Sequence, residues 1–400
     1  MTKKKSVPQI RFAGYSDEWV KFQFGDILDK YEDPVATPHD GYERLGVRSH
    51  VKGTFHSYVA PGSELETAQM HRVAADKLLF NITFAWEHAV AITDETDAGK
   101  LVSHRFPQFS FAPEMDPKFF RYVVADDKFR YYLWLSSPGG AGRNRVLNIP
   151  EMLEYQTYLP QKAEQIRLAD WFSNLDVMIV QHQSKLKKLQ NLKASMLEKM
   201  FPKDGADMPE VRFKGFYGLW EKMSASELFT SYVDKGHPEL PVLSATQDAG
   251  MVIRNEIGKS VFHETANEVG YKRVLPGQFV IHLRSFQGGF AHSTLEGITS
   301  PAYTVFGFKE PENHDDYFWK YVFMSKQFIK RLETVTYGIR DGRSISYEEF
   351  LTLDFLFPSK KEQTRISTYL FQLDSLIAIR KQEMEKLQNI KKALLEKMFV

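Results

Sequence analysis

The stretch Leu189–Phe201, with the sequence LQNLKASMLEKMF, recurs 198 residues later as LQNIKKALLEKMF at Leu387–Phe399. The same offset relates further identical residues upstream: Pro160, Glu164, Gln165, Arg167, Leu175 and Asp176 recur as Pro358, Glu362, Gln363, Arg365, Leu373 and Asp374. Chance does not place this many identities in one frame, and an internal repeat decides the architecture before any other signal. The chain is therefore two copies of one unit, and each copy ends in a long helix.

Each long helix carries an apolar seam with 3-4 spacing, which predicts coiled-coil packing. The seam positions are Phe172, Leu175, Ile179, His182, Leu186, Leu189, Lys193, Met196 and Met200 in the first helix, and Leu370, Leu373, Ile377, Arg380, Met384, Leu387, Lys391, Leu394 and Met398 in the second. A pseudo-twofold relation between the repeats would make the helices antiparallel, although no sequence rule fixes their direction. A single seam histidine, His182, is typical of a register or surface feature rather than of a ligand.

A globular block precedes each helix, at about residues 21–147 and 222–345. Short apolar or alternating runs separated by Gly, Pro, Asp and Asn predict short strands with irregular loops. A helix is predicted around Pro117–Leu135, with a counterpart at Asp315–Leu332. We expect the lead-in ending at Trp19, and its copy ending at Trp220, to pack as lids on these blocks. The fold class is α+β, with two domains of mixed short strands and helices and two long helices related by an internal pseudo-twofold. We place the domain boundaries at 1–158, 159–203, 204–356 and 357–400.

Composition excludes several classes of protein. The chain has 400 residues, no cysteine and a net charge of +1. It therefore has no disulfide and no thiolate metal site, which fits a reducing compartment. No apolar run approaches the roughly 18–20 residues of a membrane span, and the basic start MTKKKS is not followed by the apolar core of a signal peptide, so we expect a cytoplasmic protein. The helical segments 160–203 and 358–400 each carry a net charge of +4, whereas the block 21–145 has 15 basic against 17 acidic residues.

The sequence offers no convincing enzyme site. It contains neither an Asn/Asp-Pro-Pro-Tyr/Phe motif for amino-methylation nor a Walker A motif, and His and carboxylate residues do not fall at a metal-ligand spacing such as HExxH. Carboxylate pairs such as Asp126/Asp127 and Asp315/Asp316 lie beside helices, where they most simply cap them or face solvent.

The duplicated pattern resembles the specificity subunit of type I restriction-modification systems. The resemblance rests on the helix starts Leu159–Gln165 and Phe357–Gln363, on the repeated LeuGlnAsn…LeuGluLysMetPhe ends and on two unlike blocks, and it covers essentially the whole chain. It implies two target recognition domains, each of which reads half of a split site in double-stranded DNA. It also implies an antiparallel coiled coil that sets the gap, two methyltransferase subunits docked on it and motor-endonuclease subunits. S-adenosylmethionine, ATP and Mg would belong to those partners; the chain itself would have no cofactor, no metal and no catalytic residue.

Arg, Asn and Gln suit the base edges of the major groove, and Gly-rich loops with Arg suit phosphates. The candidate DNA-binding residues accordingly come from the turn-rich segment 44–56, from the segments 244–247 and 284–287 of the second block, and from the two Gly/Arg loops at 139–145 and 338–343. They are Arg44, Arg48, Ser49, Lys52, Arg143, Arg145, Thr246, Gln247, Arg284, Ser285, Gln287, Arg340 and Arg343. These residues could equally pack or form turns.

Two other classes stay open on the sequence alone. The chain could be a single-chain DNA methyltransferase or nuclease, against which the missing motifs weigh. It could also be a scaffold that binds only proteins through its coiled coil, against which the divergence of the two blocks weighs.

Overall fold

The computed structural model describes residues 7–139, 145–203, 205–246, 249–257, 265–282, 289–334 and 346–400. The chain divides into two compact units. Unit 1 comprises Met1–Gln181 and Met384–Val400, and unit 2 comprises His182–Glu383. The domain boundaries given above remain a prediction.

Unit 1 contains eleven described strands, four short helices and one 3-10 turn. The strands are β1 (Val20–Gln23), β2 (Leu28–Tyr31), β3 (Pro34–Ala36), β4 (Tyr42–Val47), β5 (Thr54–Val59), β6 (Gln69–Arg72), β7 (Leu78–Phe80), β8 (Val90–Ile92), β9 (Leu101–Val102), β10 (Gln108–Phe111) and β11 (Gln156–Leu159). The helices are α1 (Phe24–Ile27), α2 (Pro117–Val123), α3 (Asp127–Leu135) and α4 (Ile149–Leu153), and the 3-10 turn is Ala85–Glu87. The long helix α5 (Lys162–Lys199) begins here.

The described residues of unit 2 repeat this order. Its described strands are β12 (Glu221–Ser224), β13 (Phe229–Tyr232), β14 (Leu243–Thr246), β15 (Gly250–Ile253), β16 (Lys272–Val274), β17 (Phe279–Ile281), β18 (Phe290–His292), β19 (Gly297–Thr299), β20 (Thr304–Phe308) and β21 (Asp354–Phe357). Its helices are α6 (Ala225–Leu228), α7 (Asp316–Met324), α8 (Lys326–Thr334), α9 (Tyr347–Leu351) and the long α10 (Lys360–Met398), with 3-10 turns at Arg254–Ile257, Thr265–Gly270 and Pro311–Asn313.

The sheets confirm the repeat. A four-stranded sheet has the order β2-β10-β7-β8 in unit 1 and β13-β20-β17-β18 in unit 2. A second sheet in unit 1 has the order β3-β6-β9-β4-β5, and its counterparts in unit 2 are the pairs β14-β15 and β16-β19. Arg44 pairs in parallel with Leu101, and Val242 forms the equivalent parallel bridge to Ile298. The β4–β5 hairpin of unit 1 is therefore equivalent to the β14–β15 hairpin of unit 2.

The long helices run antiparallel within each unit. In unit 1, the ring of Phe172 on α5 lies 5.9 Å from that of Phe399, just beyond α10, while Asp176 contacts the earlier Lys391. In unit 2, His182 lies 3.5 Å from Glu383 and Lys193 is paired with Asp374. Residue numbers rise along one helix as they fall along the other, which confirms the direction inferred from symmetry. All predicted seam positions of both helices are buried or half-buried.

Aromatic residues fill one core in each unit. Trp19 and Trp220 are buried, 3% and 4% exposed, which confirms that the lead-ins pack as lids. The ring of Phe399 stacks on Phe119 in unit 1, at 5.4 Å between centroids, and Phe201 packs on Phe318 in unit 2, at 5.5 Å. The end of α5 thus belongs to the core of unit 2, and the end of α10 to the core of unit 1.

The prediction of a single helix around Pro117–Leu135 is wrong in one respect. The segment forms two helices, α2 and α3, and Asp126 begins the second by accepting a hydrogen bond from the Lys128 N–H. In unit 2, Ser325 separates α7 from α8 in the same way, and its hydroxyl accepts from the Phe328 N–H. A side chain that satisfies a free helix N–H favours a new start over continuation. Asp315 also caps α7, as expected for these carboxylates.

None of the helices, in the ranges that can be described, is long and apolar enough to span a membrane.

Candidate nucleic-acid interface

The tip of the β4–β5 hairpin in unit 1 is held in a demanding backbone conformation. His50 and Val51 have φ of 61° and 53°, a left-handed region that a β-branched residue such as Val51 rarely adopts. Two backbone hydrogen bonds hold it: the His50 N–H donates to the Glu87 carbonyl at 2.9 Å, and the Val51 N–H donates to the His88 carbonyl at 3.1 Å. The Val51 side chain packs against the core of the unit. The tip is therefore anchored to the β7–β8 connection and cannot move independently of it.

All four candidates from the segment 44–56 lie on this hairpin. Arg44 is half-buried in β4. Arg48 and Lys52 are exposed at the tip, and the Ser49 hydroxyl donates to Glu87 at 2.7 Å. Ser49 thus contributes to holding the tip, whereas Arg48 and Lys52 remain accessible. Whether any of the four contacts DNA stays a prediction.

In unit 2, Thr246 is the one candidate that lies among the described residues. Thr246 ends β14, and its hydroxyl donates to the Gly250 carbonyl at 2.8 Å. Gln247, Arg284, Ser285 and Gln287 lie outside the described residues. In the sequence, Gln247 follows β14, and the other three lie between β17 and β18.

The sequence reading missed Arg254, at the end of the unit 2 hairpin. Its Nε donates to the Ser244 hydroxyl at 3.2 Å, and its guanidinium lies 6.0 Å from the ring centroid of Tyr271. No motif surrounds Arg254 in the sequence, and only the strand pairing places it on the hairpin.

The Gly/Arg loops are described only in part. Arg143, Arg340 and Arg343 lie outside the described residues. The guanidinium of Arg145 lies 4.5 Å from the ring centroid of Trp134, which in turn stacks on Tyr131 at 6.0 Å. Both rings are exposed, 43% for Trp134 and 61% for Tyr131. Arg145 is thus fixed against an aromatic surface of α3, a feature that the sequence reading did not anticipate.

A groove of about 910 Å³ runs in unit 1 between the hairpin tip, α2 and the helix pair. Its Lys and Arg residues are each paired with a carboxylate. The pairs are Arg121 with Asp94 at 3.6 Å, Arg130 with Asp127 at 3.2 Å, and Lys391 with Asp176. A lining of paired charges gives this groove little net attraction for an anion.

The repeated Glu and Gln residues at the helix starts attach each lead-in and globular block to its helix. Glu164 accepts two hydrogen bonds of 2.7 Å from Arg11, and Glu362 accepts two of 2.7 Å from Arg212. Hydrogen bonding to Glu164 raises the pKa of the Arg11 guanidinium. Gln165 bonds to the Asp116 N–H and the Pro160 carbonyl, and Gln363 bonds to Asp315 and Pro358 in the same way. These identities between the copies are therefore structural.

The repeated aspartates each join three elements. Asp176 of α5 accepts from the Tyr122 hydroxyl of α2 at 3.2 Å and pairs with Lys391 of α10. Asp374 of α10 accepts from the Tyr321 hydroxyl of α7 at 2.7 Å and pairs with Lys193 of α5. Burial, and after it the adjacent aspartate, raises the pKa of both tyrosines, so that they remain hydroxyl donors. The seam lysines, which looked like a shared polar feature, complete these two clusters.

Several solved structures are similar to this architecture. The S subunit of the type I restriction-modification system from M. genitalium matches 98% of this chain and 99% of its own, with a TM-score of 0.58 and 13% identity. The chain has the fold of that S subunit. The HsdS subunit from Thermoanaerobacter tengcongensis matches 95% of this chain and 96% of its own with 16% identity and a TM-score of 0.46. A structure that describes complex assembly and conformational transition of the type I R-M system matches 95% and 97% with 15% identity and a TM-score of 0.49. No protein-family model matches the sequence, and no curated protein does.

Among the described side chains, no three His, Asp or Glu residues come together as a metal site would require. The strongest polar clusters, at Glu164, Asp176, Glu362 and Asp374, join helices to their globular blocks.

Proposed function

We propose that this chain is the DNA-recognition subunit of a type I restriction-modification complex. Each unit would read one half of a bipartite, gapped target in double-stranded DNA. The observation that carries the proposal is the fold likeness to an S subunit over 98% of this chain and 99% of that one. The repeat within the chain supports it, since the shared residues are structural and the loops differ.

Under this proposal, DNA recognition and catalysis belong to different subunits. The chain itself is not an enzyme. Two methyltransferase subunits dock on the helix pair and bring S-adenosylmethionine, and motor-endonuclease subunits bring ATP and Mg. The antiparallel helices set the gap between the half-sites, which favours a spacing near a multiple of the roughly 34 Å DNA turn.

The DNA contacts of this proposal are the two equivalent hairpins and the loops beside them. Arg44, Arg48 and Lys52 belong to the first hairpin, and Thr246 and Gln247 to the second. Arg145, Arg143, Arg340 and Arg343 belong to the Gly/Arg loops, and Arg284, Ser285 and Gln287 to the β17–β18 connection. The hairpin surface supports base reading because the major groove admits a two-stranded β-ribbon.

The test is to express the chain with its methyltransferase subunits and to sequence methylated adenines across the genome of the host. The expected result is a single gapped motif with two specific halves. Exchanging residues 7–159 for the corresponding block of another S subunit should alter one half and leave the other half and the gap unchanged. The absence of any methylated motif, or a continuous motif, would contradict the proposal.

A further inference from the structure

Three residues form a layered arrangement at the end of the β4–β5 hairpin. Gly46 of β4 is paired across the strands with Phe55 of β5. A Cβ atom at position 46 would lie 2.3 Å from the Phe55 ring, a distance that no real contact allows. The distal edge of the Phe55 ring therefore occupies the space above the Gly46 backbone that a side chain at position 46 would take, so any larger residue there has to displace the ring.

Arg48 forms the next layer. Its guanidinium carbon lies 5.1 Å from the centroid of the Phe55 ring, and its Nη1 donates to the Thr54 carbonyl. The side chain of Arg48 is nevertheless exposed. An arginine that is restrained on a ring loses less rotamer freedom on binding than a free one, and its planar fork is aimed before the ligand arrives.

The support beneath these layers is rigid as well. The tip residues His50 and Val51 are bonded to the β7–β8 connection, and the Arg48 N–H donates to the Gly53 carbonyl at 2.9 Å to close the turn. The hairpin also bonds to a buried carboxylate: Asp97, which is 1% exposed, accepts from the Thr54 hydroxyl at 2.9 Å and lies 2.7 Å from His56 Nε2. Anchored at its tip and along β5, the hairpin presents Arg48 in a fixed position.

We propose that Arg48 reads a guanine in the half-site of unit 1, and that Gly46 and Phe55 are the positioning residues that aim it. The inference rests on the proposed function. A guanidinium fork matches the O6 and N7 acceptors that guanine presents in the major groove, and this pairing is the commonest specific contact of arginine with a base. Pre-orientation on an aromatic ring suits this bidentate contact better than a phosphate contact, which tolerates many side-chain positions.

Unit 2 lacks this arrangement and provides an internal control. The positions that correspond through strand pairing hold Ser244, Val252 and Thr246 in place of Gly46, Phe55 and Arg48. We therefore expect changes to the three residues of unit 1 to leave the half-site of unit 2 untouched.

The experiment compares full-length variants, each expressed with the methyltransferase subunits, by the methylation rate of DNA duplexes in which each target position is replaced in turn. Arg48→Ala should reduce discrimination at one guanine about tenfold or more and leave every other position unchanged. Gly46→Ala and Phe55→Leu should reduce discrimination at the same guanine about threefold, because the guanidinium remains but is no longer aimed. Phe55→Trp keeps the ring surface and should retain discrimination. Ser57→Ala, on the same strand, is the matched control and should behave as the parent chain.

Several results would overturn the inference. One is that Arg48→Ala changes discrimination at no guanine of the half-site of unit 1. Another is that Arg48→Ala lowers the methylation rate equally on all duplexes. A loss with Phe55→Trp as large as with Phe55→Leu would overturn the positioning role of the ring. Thermal unfolding of each variant separates misfolding, which lowers methylation at both half-sites, from a loss of base reading, which affects one. If the parent chain yields no bipartite motif at all, the proposed function fails and this inference falls with it.

Discussion

Arg11 is the residue that fixes the lead-in of unit 1 to its long helix. Its partner Glu164 is 1% exposed, and the two side chains share two hydrogen bonds of 2.7 Å. Arg11→Ala would leave a buried carboxylate without its counter-charge, so we expect the free energy of unfolding of unit 1 to fall by about 3 kcal/mol. Chemical denaturation followed by tryptophan fluorescence measures this.

The control for Arg11 is Lys30→Ala. Lys30 pairs with Glu32, and both side chains are more than half exposed. An exposed pair contributes about 0–1 kcal/mol, so this variant should unfold close to the parent chain. Equal effects of the two substitutions would contradict the role given to Arg11.

His88 makes unit 1 sensitive to acid. Burial lowers the pKa of its imidazole, and a hydrogen bond of 2.6 Å to the Val124 carbonyl offsets this only in part. Below about pH 6.5 the unfolded chain takes up a proton that the folded chain resists, so stability should fall as the pH drops from about 7 to 5. His88→Asn, which tolerates the left-handed φ of 65°, should reduce the slope of melting temperature against pH. Burial also lowers the pKa of His314 in unit 2, so part of the slope should remain in the variant. A slope equal to that of the parent chain would count against the assignment to His88.

At the residue scale, the sequence identified positions that hold the fold together, but it did not identify the residues to which they hydrogen-bond. Glu164, Gln165 and Asp176 stood out as identities between the copies, yet nothing in their spacing indicates Arg11, Asp116 or Tyr122 as partners. Those contacts join residues that are distant in sequence, and only the fold brings them together.

At the scale of elements, the seam of the long helices was predictable because a 3-4 period records which face is buried. The direction of the helices could not be predicted from this period, since both directions bury the same seam.

The direction of the long helices is testable because the chain contains no cysteine. Asp176→Cys combined with Lys391→Cys should be joined by a short bifunctional thiol reagent, because the end of the Lys391 side chain contacts Asp176 in unit 1 and a direct disulfide would need closer Cβ atoms. Asp170→Cys with Lys391→Cys is the control, since Asp170 faces solvent. The absence of a cross-link in the first pair, or equal cross-linking of both pairs, would contradict the antiparallel arrangement.

Phe201, the last residue of the first repeated stretch, completes the core of unit 2. Phe201 is 5% exposed and packs on Phe318. Phe201→Ala should cost about 3–5 kcal/mol, because a buried ring is replaced by a cavity. Differential scanning calorimetry should show the transition of unit 2 lowered and that of unit 1 retained. A uniform shift of both transitions would mean that the units do not unfold separately.

At the scale of the whole molecule, charge limits what the chain does alone. Its net charge is +1, and the cations that line the groove of unit 1 are paired with carboxylates. We expect the isolated chain to bind duplex DNA with a Kd of about 1 μM or weaker at physiological salt, and methyltransferase subunits to tighten it by supplying phosphate contacts. Fluorescence anisotropy with labelled duplexes at two salt concentrations measures both. Tight, sequence-specific binding by the chain alone would contradict this expectation.

The repeat predicted two units, but not that unit 1 would be built from two separate stretches of chain, nor that unit 2 would begin inside the first long helix. Leu189–Phe201 and Leu387–Phe399 look in sequence like the ends of their own copies. In the fold, Met200 and Phe201 belong to the core of unit 2, and Met398 to that of unit 1. Helical periodicity reports that a face is buried, but it carries no information about which domain covers that face. The candidate loops were accessible to sequence reasoning through their turn residues, whereas the Gly46–Phe55–Arg48 arrangement depends on strand register.

The discontinuity of unit 1 has a consequence for biosynthesis. The rings of Trp19 and Phe119 lie 6.0 Å and 5.4 Å from that of Phe399, so the core of unit 1 cannot be completed until Phe399 has been synthesised. Unit 2, which needs nothing beyond Glu383, can finish first although it is made second. The half of the chain that is synthesised first is therefore the later to complete its core. A chain truncated before Phe399 would leave the rings of Trp19 and Phe119 without this partner.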